Sequence, residues 1–473
     1  MSAIELKNVS FSYDNKNEIL KNINLNLDYG SFNLFSGYSG EGKSTLMYLI
    51  SGIIPHINNG YIDGEVLING VNIKNKSLGQ ITKDVGVVLQ NADEQILHKK
   101  VEDEIAFGLE NIGVTPNNIK KQIETVCKLL NLDTNWETKK CSGGQKQRII
   151  TASTLAMGQK IIILDEPLAN LDLVSAHKLM STLKTLVKLN YLVIVIEHRL
   201  DIVLPYIDNV YAIKDKSVIK IENKDEYLKN QSIQIEDTLL KYEDKKPIFS
   251  LQNVSYTVNK KNILENISFD ILDGSRVLLL GENGCGKTTL LRLISRLNRT
   301  SSGEIKQYID SKLPKKRGNK KFYKTVGVIY QNPDYQLFMP TVEKEIKFNA
   351  ENEEYADKIA TLFDVKKLYS RHPQSLSEGQ KRRVSIAAVV ATNPKVLILD
   401  EPTVGQDYKG LSEMVKVLND IHKETNNTMI IVTHDIRCAK ALCDKSIWIK
   451  EGKLYKTGYK ELVDEFFESQ KNI

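Results

Sequence analysis

The chain carries the same glycine-rich loop twice, as Gly37-Tyr38-Ser39-Gly40-Glu41-Gly42-Lys43-Ser44 and as Gly281-Glu282-Asn283-Gly284-Cys285-Gly286-Lys287-Thr288. Each copy follows a short apolar run, Phe32 to Phe35 or Val277 to Leu280, and precedes a helix-like apolar run, Leu46 to Ile50 or Leu290 to Ile294. This is the strand, loop and helix setting in which the pattern binds phosphate. Glycines let backbone N–H groups close around an anion at a helix N-terminus, the lysine reaches the terminal phosphates, and the hydroxyl of Ser44 or Thr288 is placed to coordinate Mg2+. Two such loops predict two nucleotide sites.

The loops belong to a repeat that runs the length of the chain. Asn8-Val9-Ser10-Phe11-Ser12-Tyr13 recurs as Asn253-Val254-Ser255-Tyr256-Thr257-Val258, the run 85–90 as 326–331, Ser142 as Ser377 and Asp165 as Asp400, always in the same order. Two large copies read as tandem domains and not as a solenoid. The length, 473 residues, suits two cores better than one. The expected division is a first domain over 1–235, a short linker over 236–247 and a second domain over 248–473. The join, from Ser232 to Pro247, is polar and ends in proline.

With 41% hydrophobic and 26% charged residues the chain has a globular composition, and no apolar run approaches the roughly 18 residues of a membrane-spanning helix. The start, Met1 to Lys7, lacks the basic and apolar segments of a signal peptide, so a cytoplasmic location is expected. Five cysteines without metal-ligand spacing read as reduced thiols, and Cys285 in the second loop reads as a small filling residue. The net charge of +6 does not call for nucleic acid, and none is expected as a partner. The basic cluster Lys312, Lys315, Lys316, Arg317, Lys320, Lys321 and Lys324 reads as a solvated loop.

Two apolar strand-like runs end in paired acids, Asp165-Glu166 and Asp400-Glu401. In an α/β domain, ligands bind at the carboxyl ends of such strands. There the aspartate can hold Mg2+ through water, and the glutamate can position and deprotonate an attacking water. Two further runs end at His198 and His434, matched by the repeat and expected to contact a γ phosphate. Cys141-Ser142-Gly143-Gly144-Gln145 and Leu376-Ser377-Glu378-Gly379-Gln380 each open a helical stretch, where serine is also an ordinary N-cap.

In this order, phosphate loop, Gln90 or Gln331, the serine-glycine segment, Asp-Glu and His, the chain resembles an ATP-binding cassette ATPase twice over, across nearly its whole length. The resemblance implies an α/β fold of two tandem P-loop NTPase domains. Each would have a RecA-like core, an antiparallel β subdomain and a helical signature subdomain, the last over roughly 93–141 and 334–376. It implies ATP and Mg2+ as cofactors, closure of the two cassettes within one chain, and two composite sites. Site one would join Lys43, Ser44, Gln90, Asp165, Glu166 and His198 with Ser377, Gly379 and Gln380. Site two would join Lys287, Thr288, Gln331, Asp400, Glu401 and His434 with Ser142, Gly144 and Gln145. Gly37, Ser39, Gly40, Gly42 and Thr45, with Gly281, Asn283, Gly284, Gly286 and Thr289, would line the ATP, and Ser44, Gln90, Asp165, Thr288, Gln331 and Asp400 would face the metal. Tyr13 takes the place of the aromatic that stacks on adenine; its counterpart is Val258, with Tyr256 two residues away.

Three positions depart from the family pattern: Cys141 and Gln406 where leucine is usual, and Glu378 where glycine is usual. The segments after each glutamine, Asp93-Glu94-Gln95 leading to Val101–Asn111 and Asp334-Tyr335-Gln336 leading to Val342–Asn349, resemble the ATPase subunits of energy-coupling factor (cobalt-type) transporters. That resemblance implies import of a vitamin or transition-metal ion, with a transmembrane coupling subunit and a small substrate-capturing membrane protein as partners at the cytoplasmic face of the membrane. It also makes Asp93, Glu94 and Asp334 candidates to meet basic residues of the partner. The alternatives are a sugar-type importer subunit and a ribosome-associated translation factor. The short join weighs against the translation factor, and the intact second half weighs against the sugar importer. No residue identifies the cargo.

Overall fold

The computed structural model describes residues 2–38, 40–90, 92–169, 171–231, 245–309 and 320–471, without the side chains of Asp93 and Lys471. Most of the expected linker, and Lys312 to Arg317 of the basic cluster, lie outside these residues. The chain divides into two compact units, Met1–Gln231 and Ser232–Ile473.

In the first unit, the six-stranded sheet runs from edge to edge through Ser217–Ile221, Asn209–Lys214, Phe32–Gly37, Leu192–Ile196, Ile161–Asp165 and Val85–Val88. Neighbours are parallel except at the first pair. Leu192–Ile196 is buried at every position, as expected for a strand covered on both faces. The helix Leu173–Lys188 covers one side with Leu179, Leu183, Leu186 and Val187, the stripe that its spacing predicts, and Asp172 caps its start by accepting the Ser175 N–H at 2.9 Å. A separate antiparallel sheet is built from Glu18–Asp28, Ser2–Ser12, Tyr61–Ile68 and Val71–Asn72. Helices Val101–Asn111 and Pro116–Leu130 form the expected helical region ahead of the helix Gly143–Ala156.

The second unit repeats the plan. Its large sheet runs through Val326–Ile329, Val396–Asp400, Thr428–Val432, Arg276–Leu280, Lys445–Lys450 and Lys453–Gly458. Its antiparallel sheet has three strands, Lys261–Leu272, Pro247–Val258 and Ser302–Gln307. Helices Val342–Lys347 and Glu353–Leu362 precede the helix Glu378–Val390. The expected α/β architecture of two tandem P-loop NTPase domains is therefore present. In both large sheets the strand that feeds the phosphate loop lies inside the sheet, next to the strand that leads to the histidine. Loop, acids and histidine thus emerge side by side.

The halves differ in how this central strand is anchored. Arg276, at the start of the second one, is buried and grips Asp444 through Nε at 2.9 Å and Nη2 at 2.6 Å, while Nη1 donates to Asn419 Oδ1 at 2.6 Å. The first half has Phe32 at that point and a half-exposed Lys184–Asp208 pair at 2.5 Å. Removing one partner of a buried pair leaves an uncompensated charge, so Asp444→Ala is expected to cost about 3–5 kcal/mol in chemical denaturation of the second half. Lys184→Ala, at the surface, is expected to cost less than about 1 kcal/mol.

Candidate functional site

Both phosphate loops end on a glycine that only glycine's backbone freedom allows. Gly42 and Gly286 cap the helices Lys43–Ile50 and Lys287–Ile294 with φ of 97° and 106°. Behind each cap the lysine folds back over its own loop. Lys43 Nζ donates to the carbonyls of Gly37 and Tyr38, both at 2.8 Å, and Lys287 Nζ to those of Gly281 and Glu282 at 2.7 and 2.9 Å. Each ammonium is thereby parked where an anion in the loop would meet it. Ser44 and Thr288 are exposed at the mouth, where both helices open with the positive end of the helix dipole. Gly40 and Gly284 face open space. Thr45 is buried and Thr289 half-buried behind the loops, and Ser39 lies outside the described residues.

The acids sit opposite. Glu166 and Glu401 follow directly on the strand ends with φ of 45° and 52°, in the left-handed region. Each N–H bonds to the neighbouring strand, Glu166 to Ile196 O at 2.8 Å and Glu401 to Val432 O at 2.9 Å. The turned carboxylates meet the predicted partners. Gln90 Nε2 donates to Glu166 Oε2 at 2.7 Å, and His198 Nε2 lies 3.6 Å from Glu166 Oε1. In the second half His434 Nε2 lies 3.4 Å from Glu401 Oε1 and 3.0 Å from Asn283 Oδ1 of the phosphate loop, and the His434 N–H donates to Glu401 Oε2 at 3.1 Å. Burial pushes the Asp165 carboxyl up to about 6, against the pull of Lys43. Burial also raises Asp400, which the Thr288 hydroxyl and the Lys287 charge oppose.

A hydroxyl beside a buried carboxylate is an all-oxygen donor set. It fits a hard cation that takes one or two protein ligands and completes its shell with phosphate and water. Among the described residues no group of three or more acidic, histidine or cysteine side chains is assembled for a metal.

Ser142 and Ser377 cap the helices Gly143–Ala156 and Glu378–Val390. Their Oγ atoms accept the N–H of Gln145 and Gln380 at 3.3 and 3.4 Å, and the glutamine side chains return the bond to the serine N–H groups at 2.8 and 3.2 Å. The serine and glutamine of each signature are thus one capping box, which aims the helix N-terminus and leaves the serine O–H as a donor. Glu378, the unusual acid, is turned toward Lys381 at 3.4 Å.

Tyr13 is 47% exposed, with its hydroxyl 3.4 Å from Thr45 Oγ1 beside the loop, whereas Tyr256 accepts a bond from Asn298 at 3.1 Å. Asp334, expected to face a partner, is paired with Lys381 at 3.0 Å. The Asp93 side chain lies outside the described residues. Glu197 escaped the sequence reading. It is wholly buried next to His198 and accepts the N–H groups of Leu168, His198 and Arg199 at 3.1, 2.8 and 3.2 Å, so it staples the acid turn to the histidine turn. Burial pushes its carboxyl up. The repeat could have exposed it, because Thr433 stands in its place and is joined to Thr403 by a hydroxyl pair at 3.3 Å.

The sequence profile of the ABC transporter family matches residues 20–169 and 264–404, more than half of the chain. The chain belongs to the ABC transporter family. It is a two-cassette ATP-binding protein of that family. A protein of Methanosarcina mazei whose name places it among ABC transporter ATP-binding proteins is 32% identical over 95% of this chain and 94% of its own length. The Bacillus subtilis protein YkoD, named for HMP/thiamine import as an ATP-binding protein, is 32% identical over 93% of this chain and 88% of its own. Among solved structures, a model of ribosome-bound archaeal Pelota and ABCE1 aligns with a TM-score of 0.71 over 95% of this chain and 79% of that one. At 17% identity this likeness shows the fold of the paired cassettes alone.

The raised Asp165 carboxyl sets a pH dependence. Because the folded state holds this proton more tightly than the unfolded chain does, the aspartate's contribution to stability falls as pH rises from its usual 3.8 toward about 6 and stays low above that. The effect is on the order of 3 kcal/mol. Asp165→Asn is therefore expected to raise the melting temperature of the nucleotide-free cassette at pH 7.5 and to flatten its pH profile between pH 4 and 6, as read by calorimetry.

Proposed function

We propose that the chain is the ATP-hydrolysing subunit of an energy-coupling factor importer for a vitamin or a transition-metal ion, held at the cytoplasmic face of the membrane by a transmembrane coupling subunit that works with a small substrate-capturing protein. ATP bound at Lys43 and Lys287 would take Mg2+ between its phosphates and Ser44 with Asp165, or Thr288 with Asp400, with Gln90 and Gln331 facing the ion. The metal would neutralise charge building on the phosphates. Glu166 and Glu401 accept a proton from the attacking water, and His198 and His434 hold the γ phosphate. Ser377, Gly379 and Gln380 would present donors and a helix dipole to the γ phosphate of the ATP at Lys43, and Ser142, Gly144 and Gln145 to that of the ATP at Lys287.

The observation that carries the coupling to a membrane partner is an apolar cleft of about 360 Å³ beside the Gln331 loop, lined among others by Tyr335, Phe338, Phe348, Lys320 and Lys324. The three aromatics are 77%, 68% and 56% exposed, too much apolar surface for a face that meets only water. The first half repeats the theme with exposed Leu97 and Phe107 at the matching positions. An amphipathic helix of a membrane subunit fits such a groove, its side chains among the rings and an acidic residue near the two lysines. The name of the Bacillus subtilis relative supports the importer reading. No helix among the described residues is long and apolar enough to cross a membrane.

Two outcomes test this reading. Glu166→Gln and Glu401→Gln, made separately, are each expected to remove at least about half of the ATP turnover, and an unchanged rate in either variant contradicts hydrolysis at both sites. Phe338→Ala with Phe348→Ala is expected to leave turnover of the purified chain intact while abolishing its recovery with multi-span membrane proteins from detergent-solubilised native membranes. Full recovery with those proteins, or recovery with ribosomal proteins instead, contradicts the coupling role.

A further inference from the structure

The two halves secure their signature helices by different means. In the second half Arg382, one turn into the helix Glu378–Val390, is 3% exposed and donates Nη1 to the carbonyl of Tyr330 at 2.7 Å and Nη2 to that of Gln331. At the start of the same helix the Gly379 carbonyl accepts Nε2 of Gln406 at 3.0 Å. Gln406 is buried in the turn that follows Glu401, and the fit is close: a Cβ added to Gly379 would stand 3.0 Å from Gly405 O. The Lys381–Asp334 pair adds a third tie to the segment after Gln331. This helix is therefore bonded to the loops on both sides of its half's phosphate site.

Among the described residues neither of the first two ties is present in the first half. Gln147 stands where Arg382 does and Leu171 where Gln406 does. Gln147 is buried with no hydrogen-bond partner for its Nε2, and Leu171 has no group to donate to the Gly144 carbonyl. A guanidinium is planar and its two donors are fixed relative to each other, so a bidentate hold on successive carbonyls resists rotation as well as separation. Pulling it away would strand a buried cation, which costs far more than breaking a neutral bond. A displacement of Gln331 must then carry the helix with it, whereas a displacement of Gln90 meets no such linkage.

We propose that Arg382 and Gln406 are positioning residues that transmit the state of the second nucleotide loop to the signature helix of the same half, a linkage the first half lacks, so that the two halves answer ATP unequally. This rests on the reading of Lys287 and Gln331 as parts of an ATP site. When ATP and Mg2+ settle at Lys287, Gln331 shifts, and Ser377 at the tip of the linked helix shifts with it. When ATP settles at Lys43, the helix behind Ser142 stays largely where it was.

The test uses the full chain and backbone hydrogen–deuterium exchange. With Lys43→Ala disabling the first loop, addition of ATP and Mg2+ is expected to change exchange in residues 378–383. With Lys287→Ala disabling the second, residues 143–148 are expected to change much less. Arg382→Gln combined with Gln406→Leu, which installs the first half's own residues, is expected to lower the melting temperature but to leave the chain folded and able to bind ATP, as read by circular dichroism and equilibrium binding, and to abolish the response at 378–383. Arg382→Lys, which keeps the charge but loses the fork, is expected to restore part of the response. Gln406→Leu alone is expected to reduce it partially, which gives a reading independent of the buried charge. Equal responses in the two halves, or a wild-type response in the folded double variant or in Gln406→Leu, overturn the proposal. Failure of the Lys43→Ala chain to bind ATP at all would instead overturn the assignment of the site itself.

Discussion

Everything at the two sites hangs on one backbone constraint: the residue after each acid strand is forced into the left-handed region. Glu166 and Glu401 have positive φ, and each is held there by a hydrogen bond from its N–H to the adjacent strand, at Ile196 O and Val432 O. A non-glycine residue in this conformation costs on the order of 1–3 kcal/mol, and the buried parallel strands on either side supply the rigidity that sustains it. The turn swings the carboxylate off the end of the sheet toward the histidine of the next strand and, in the first half, toward Gln90. An extended backbone would send it to one face of the sheet, away from both.

Much of this was legible in the chain itself. The two loops, the paired acids and the matched histidines were readable because each is a short pattern fixed by local chemistry, and the duplication supplied an internal check on every one. The stripe Leu179, Leu183, Leu186 and Val187 followed from helical spacing. The left-handed glutamates did not announce themselves, since glutamate carries no propensity for that region and only the strand pairing imposes it. Arg382 and Glu197 were likewise silent. A charged residue inside an otherwise exposed-looking basic run, Lys381-Arg382-Arg383, reads as surface until the Gln331 loop is folded over it. Glu197 reads as the end of a strand until the acid turn arrives beside it. Asp334 illustrates the converse: an acid that looked free for a partner is engaged by Lys381.

The duplicated halves keep the reacting groups and exchange their supports. Lysine, hydroxyl, glutamine, aspartate, glutamate and histidine stand at matching places in both. The residues behind them diverge: Phe32 against Arg276, Glu197 against Thr433, Gln147 against Arg382, Leu171 against Gln406. The second half invests in buried cations, which hold geometry firmly but cost desolvation. At these places the first half has Phe32, Gln147 and Leu171, with the buried carboxylate of Glu197. Two sites with the same chemistry on different mounts need not behave alike, and the divergence lies in the residues that decide how far each loop can move.

The central claim is that one chain carries two complete nucleotide sites. Its most direct measurement is the stoichiometry of Mg2+–ATP bound at equilibrium by the purified chain in which Glu166 and Glu401 are both changed to Gln, so that bound ATP persists. Two ATP per chain is the predicted result. One ATP, or none, would contradict it.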